Sequence, residues 1–145
     1  MVQVTKVIEF DAAHRLGRGY PAMCKNIHGH RYKVHLTCEC YKMDQFDMVI
    51  DFSKIKNLCK TWIDNNIDHA TIVDDQDTDL IQFLEEQGNK HIVVPFITTV
   101  ENLVPWLREK LQEQLMADED LKDRDVYIKR LRIYETPNGW CEKEW

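Results

Sequence analysis

Between His28 and Leu36 the chain alternates apolar or aromatic side chains (Tyr32, Val34, Leu36) with basic ones (Arg31, Lys33, His35). A period of two sends successive side chains to opposite faces, so this stretch reads as a strand with one face in a core and the other in water. Such a strand needs sheet neighbours to satisfy its backbone and a layer to cover its apolar face. That one pattern excludes an all-helical fold.

Candidate neighbours stand at both ends of the chain. Val2 to Phe10 is rich in β-branched residues, and a Gly/Arg/Pro loop (Gly17 to Pro21) follows it. At the far end Val126 to Glu135 is strand-like, and Pro137-Asn-Gly139 before Trp140 is a hairpin signal. The covering layer has two candidates. Asp51 is a good N-cap for a helix with Phe52, Ile55, Leu58, Cys59, Trp62 and Ile63 on one stripe. Thr98-Thr-Val-Glu101 matches a capping box ahead of Leu103, Trp106, Leu107, Leu111 and Leu115. Pro105 fits only in the first turn of that helix, and otherwise predicts a kink. Asp64 to about Asn89 is polar and acidic and reads as a long loop with a short helix near Leu80–Leu84, and Asp118 to Asp125 as a charged turn. The expected architecture is α+β: a four-stranded antiparallel sheet in the order ββααββ with two helices on one face, in one domain over residues 1–145. The open sheet edges are places for a partner subunit.

Charge and cysteine usage narrow the function. A net charge of −6 argues against nucleic-acid binding, which needs a basic surface. No apolar run reaches the roughly 18 residues of a membrane helix, and Met1 to Phe10 lacks a signal-peptide layout. Five cysteines, an odd number with no CxxC pair, suit a reducing compartment, so the expected location is the cytoplasm.

The chemistry concentrates around Cys24-Lys-Asn-Ile-His28-Gly-His30. His28 and His30 share strand parity and so point to one face, and Gly29 leaves the backbone free to adapt beside an ion. An HxH pair alone often merely decorates a strand. His14, closing the first strand, is the third candidate, and three imidazoles select zinc over magnesium or calcium. Cys24 suits two roles: a fourth ligand of a closed structural site, or a base or nucleophile held off the metal. Asp68-His69 has the form of an acid–base pair, although an ordinary polar loop dipeptide looks the same. Glu135, ending a strand, offers a carboxylate to an amide-like donor array. His35, of opposite parity, and His91, in the acidic region, read as surface residues, while Cys38, Cys40 and Cys59 read as small buried hydrophobes.

Six pieces in order resemble the tetrahydropterin synthase family, the tunnelling-fold (T-fold) enzymes. They are Phe10-Asp-Ala-Ala-His14, Cys24-x-x-x-His28-Gly-His30, Val49-Ile-Asp51-Phe52, Asp68-His69, Thr99-Val-Glu101-Asn102 and Tyr134-Glu135-Thr136. The resemblance implies zinc held by His14, His28 and His30, Cys24 as a catalytic base, and Asp68 with His69 as a second acid–base pair. It also implies that Glu135 anchors a pterin with Thr98 and Thr99 lining its pocket, in homo-oligomers built from trimers and commonly hexameric. The three-residue gap between Cys24 and His28 is similar to that of the carboxy-forming, queuosine-pathway branch, the biopterin-pathway branch having a longer one. The implied substrate is 7,8-dihydroneopterin triphosphate, whose triphosphate Arg15, Arg18 and Lys25 are placed to meet.

Overall fold

The computed structural model describes all residues, Met1–Trp145. β1 (Val4–His14) and β2 (His28–Cys40) form a long antiparallel pair, in register from Val4↔Cys38 to His14↔His28. β2 then pairs with β5 (Val126–Thr136), and β5 with β6 (Gly139–Glu144) through the expected Pro-Asn-Gly turn. The alternation of β2 is realised: Tyr32, Val34 and Leu36 are buried while Arg31, Lys33 and His35 lie on the other face, exposed or half-buried.

The sheet is larger than the expected four strands, and it is mixed. The segment read as an acidic loop holds β3 (Ala70–Asp74) and, around the expected short helix, α3 (Thr78–Gln87), with β4 (His91–Val94) just beyond it. Both added strands run parallel, β3 against β1 and β4 against β3, giving a six-stranded order β4-β3-β1-β2-β5-β6. His91 therefore opens a strand. The four apolar residues of Ile72-Val73 and Ile92-Val93 are too few to show a period, and the surrounding aspartates masked them. A helical crossover is what a parallel pair requires, and α3 supplies it with its own small core of Val73, Leu80 and Leu84.

The covering helices lie on one face, as expected. α1 (Phe52–Ile55) starts at Asp51, whose side chain accepts from the Ser53 N–H. It runs through a π-helical stretch (Lys56–Lys60) into α2 (Thr61–Asn66), burying Ile55, Cys59 and Ile63 while Phe52 stays exposed. α4 (Val100–Met116) buries Leu103, Leu107, Leu111 and Leu115, and it continues through Pro105 on its exposed side. The charged turn is a short helix, α5 (Glu119–Asp123), capped by Asp118. These side chains join Ile8, Phe10, Tyr32, Val34, Leu36, Leu131 and Ile133 in one core of 27 buried residues. Cys38, Cys40 and Cys59 belong to it, and burial pushes the thiols of all three upward. No helix is long and apolar enough to cross a membrane.

Candidate active site

His14 and His28 are a cross-strand pair at the end of the β1–β2 ladder, and His30 pairs with Ala12 one step inside. Cross-strand partners point to the same face, so all three imidazoles converge under the start of α4. One ligand nitrogen from each lies within 4.8 Å of the others. The sequence reading of parity places them here, and the register explains why His14 joins them.

Two of these rings have a fixed tautomer. His14 Nδ1 donates to the Thr98 carbonyl at 2.9 Å and lies 3.1 Å from its hydroxyl, which itself donates to the Arg15 carbonyl at 3.4 Å. His28 Nδ1 donates to the Asn26 carbonyl at 2.7 Å. A neutral imidazole with its proton on Nδ1 presents a bare lone pair at Nε2, yet the two Nε2 atoms stand 3.1 Å apart. Lone pairs so aimed repel unless something positive lies between them. The third ring repeats the point: His30 Nε2 is buried without a hydrogen-bond partner, and desolvation lowers the pKa of the ring despite Glu135 nearby. Two opposed acceptor nitrogens with a third imidazole nitrogen beside them fit a metal ion.

Thr98 corrects an expectation. It is fully buried behind His14 with its hydroxyl and carbonyl both directed at Nδ1, so it cannot line a substrate pocket. Nor does it form a capping box: the N-cap of α4 is Thr99, half-buried and without a side-chain cap bond. The Thr–Glu spacing that signals a cap is here used to hold a histidine. Losing an outer partner of this kind costs about 10- to 100-fold in metal affinity. Thr98→Val, which keeps the carbonyl and the volume, is expected to weaken metal binding about tenfold in a chelator-competition titration with its melting transition unbroadened.

Glu135 enters the cluster from β5, with Oε1 3.2 Å from His30 Nε2 and 3.4 Å from His14 Nε2. Its direct approach to the imidazoles is not visible in the sequence, because β2–β5 register alone decides it. The same holds for Tyr32, whose hydroxyl is buried with no partner and whose ring packs edge-on to His30.

Cys24 lies apart from the three imidazoles. It is exposed on a single 3₁₀ turn (Met23–Lys25), joined to the chain by the Leu16 N–H donating to its carbonyl at 2.8 Å. It is not among the residues whose ligand atoms cluster. Asp68 and His69 form a pair of their own: His69 Nδ1 lies 2.9 Å from Asp68 Oδ2, while Asp68 Oδ1 accepts from the Asp11 N–H at 3.0 Å. Burial raises the Asp68 pKa, but the Asp11 and His69 hydrogen bonds outweigh it and the net shift is downward. His69 is exposed and holds a left-handed backbone, φ 59°, a strained setting for a non-glycine residue. His30 and His69 line one shallow groove, floored by Ala12, Ala13 and Gly29. Gly29 has no positive φ, and a Cβ there would make only an ordinary 3.6 Å contact with the Ala12 carbonyl. Its value is that it leaves this groove open.

Two of the three basic residues beside the site are committed elsewhere, while Lys25 is exposed with no ion pair. Arg15 holds Asp77 through two bonds of 2.7 Å, and Arg18 holds Asp74 at 2.8 and 2.9 Å. Neither guanidinium is free for a triphosphate, contrary to the expectation from sequence proximity. The Arg18 hydrogen bond drives the Asp74 pKa below its ordinary 3.8. A depressed folded-state value contributes stability that is present above the unfolded pKa and is lost as pH falls from there through the folded pKa. Denaturant midpoints are therefore expected to drop between pH 5 and about pH 3, and to drop less in Arg18→Ala.

An α+β sheet that gathers three imidazoles beside a preformed carboxylate–imidazole pair defines an enzyme site built around a metal-capable centre. A family model described as 6-pyruvoyl tetrahydropterin synthase matches residues 3–144, and the chain belongs to that family. Two curated relatives named 6-carboxy-5,6,7,8-tetrahydropterin synthase align over nearly the full length. The Rickettsia felis protein is 35% identical over 143 residues (98% of this chain, 99% of the relative). That of Haemophilus influenzae is 33% identical over 148 residues (98% of each). Among solved structures, an uncharacterised Wolinella succinogenes protein superposes with a TM-score of 0.80 at 22% identity, covering 99% of this chain and 97% of its own. The Caenorhabditis elegans 6-pyruvoyl tetrahydropterin synthase gives 0.68 at 24% identity, covering 99% and 95%. The T-fold is thus the fold of this chain.

Proposed function

We propose that the protein is a zinc-dependent synthase converting 7,8-dihydroneopterin triphosphate to 6-carboxy-5,6,7,8-tetrahydropterin, with release of acetaldehyde and triphosphate. The observation that carries the metal part is the pair of Nε2 acceptors 3.1 Å apart on rings locked as Nδ1–H tautomers. At ordinary bond lengths two nitrogens on a tetrahedral zinc stand about 3.3 Å apart, so the His14–His28 pair is already near the spacing zinc asks for. Bound by His14, His28 and His30, zinc would supply Lewis-acid polarisation of the substrate's side-chain oxygens.

The chain's own groups do the rest. Cys24 takes a proton from the substrate's side chain, its exposure giving it access to substrate. The Asp68 carboxylate fixes the His69 tautomer with Nδ1–H inward, so that Nε2 is the atom that exchanges protons at the groove. Glu135, whose carboxylate comes from β5 to the edge of the cluster, accepts hydrogen bonds from the pterin's ring nitrogen and amino group. Thr98 directs Nδ1 of His14 away from the centre so that Nε2 faces it, and Thr99 lies next to it at the helix start.

The choice of the carboxy product is supported by the three-residue Cys24–His28 gap and by the names of the full-length relatives. We read the product as feeding 7-deazaguanine (queuosine-type) synthesis in the cytoplasm, where five free thiols are stable. Trimer-based homo-oligomers, of hexameric order, suit the two open edge strands β4 and β6. Zinc-loaded protein incubated with dihydroneopterin triphosphate should yield acetaldehyde and a carboxypterin in equal amounts. A pyruvoyl product with no acetaldehyde would reassign it to the triphosphate-eliminating branch.

A further inference from the structure

The segment that carries Cys24 has few anchors of its own. Every residue from Arg18 to Ile27 is exposed; apart from the short-range bonds of its own turns, only Leu16 N–H to the Cys24 carbonyl ties its two ends together. Arg18 and Gly19 both take left-handed backbone, φ 55° and 82°, which a non-glycine residue such as Arg18 holds only when something fixes it. What fixes it comes from the β3–α3 connection. Arg18 lies with both N–H arms on Asp74, and Arg15 with both on Asp77.

The two carboxylates are themselves held. Asp74 ends β3 with 2% exposure and accepts from the Gln76 N–H at 3.0 Å. Asp77 is the N-cap of α3, accepting from Leu80. A bidentate guanidinium–carboxylate fork fixes direction as well as distance, so two forks fix the orientation of the whole turn relative to the sheet. We propose that Asp74 and Asp77 are positioning residues for Cys24, pinning the Arg15–Ile27 loop through Arg18 and Arg15 so that the thiol is presented to the histidine cluster. This rests on the reading of Cys24 as the base. It gives the acidic connection after His69 a role, and it sets aside Arg15 and Arg18 as triphosphate ligands. To bind phosphate, Arg18 would have to leave a buried Asp74 unpaired, which is costly.

The zinc-loaded wild type and the Arg15→Ala/Arg18→Ala double variant separate these roles, because both capping carboxylates stay in place. Hydrogen exchange of residues 15–27 is expected to speed at least tenfold with β2 and α3 unchanged. Turnover of dihydroneopterin triphosphate should lose at least tenfold in kcat with KM altered less than threefold. A tenfold rise in KM with kcat and loop exchange held makes the arginines phosphate ligands and overturns the proposal. So does unchanged kcat on a loosened loop. Should the double variant fail to fold, Arg18→Lys keeps the charge without the fork; it is expected to cost at least threefold in kcat, and wild-type kinetics there refute the pin. Full turnover in Cys24→Ala would sink the base reading alone, since loop exchange is measured independently of catalysis.

Discussion

Replacing His28 with alanine is expected to leave the protein folded and without its metal. His28 is half-buried at the mouth of the cluster and anchored only through the Asn26 carbonyl, so its removal opens no core cavity. Yet it takes away one of three nitrogen donors and relieves the 3.1 Å opposition with His14 that makes the cage attract a cation. The loss in zinc affinity should exceed the roughly 100-fold that an outer partner is worth, and turnover should fall below about 1% of wild type at any zinc level the protein tolerates. Equilibrium dialysis with metal analysis reads the first, acetaldehyde release the second. Zinc bound one-to-one with wild-type affinity in this variant would move the metal away from the imidazoles.

Cys24→Ala should behave in the opposite way. The residue is exposed and its side chain supports no packing, so stability is expected to stay within about 0.5 kcal/mol of wild type, with one zinc retained. A positioned proton-transfer group contributes about 10²- to 10⁴-fold to rate, and kcat should fall by that much. Parallel loss of zinc and of the melting transition would instead make Cys24 a ligand of a closed, structural centre. The two variants thus give mirror-image results, metal lost with the fold kept and metal kept with the rate lost.

How much of this was legible in the sequence follows from what each signal depends on. β2 and the β5–β6 hairpin are local patterns, period two and Pro-Asn-Gly, and they appear where expected. The Asp51 cap is equally local. The short helix expected near Leu80–Leu84 is present as α3, but β3 and β4 on either side of it were hidden because they are parallel, short and bordered by aspartates whose purpose is long-range: Asp74 and Asp77 face arginines 56 and 62 positions earlier. Sequence proximity alone suggested phosphate for those arginines, and proximity could not reveal that their forks were taken. Thr98 failed for the same reason. Its spacing to Glu101 imitates a cap, while its true partner, His14, is 84 residues away. Parity brought His28 and His30 together, and register, which no single sequence prints, delivered His14 and Glu135 to them.

X-ray absorption at the zinc edge tests the central claim most directly, because it counts donors by element. The account predicts one zinc per chain with three imidazole nitrogens at about 2.0–2.1 Å, the remaining density from oxygen, and no sulfur. A sulfur shell near 2.3 Å would place Cys24 on the metal, close the site, and contradict the assignment of this centre to catalysis.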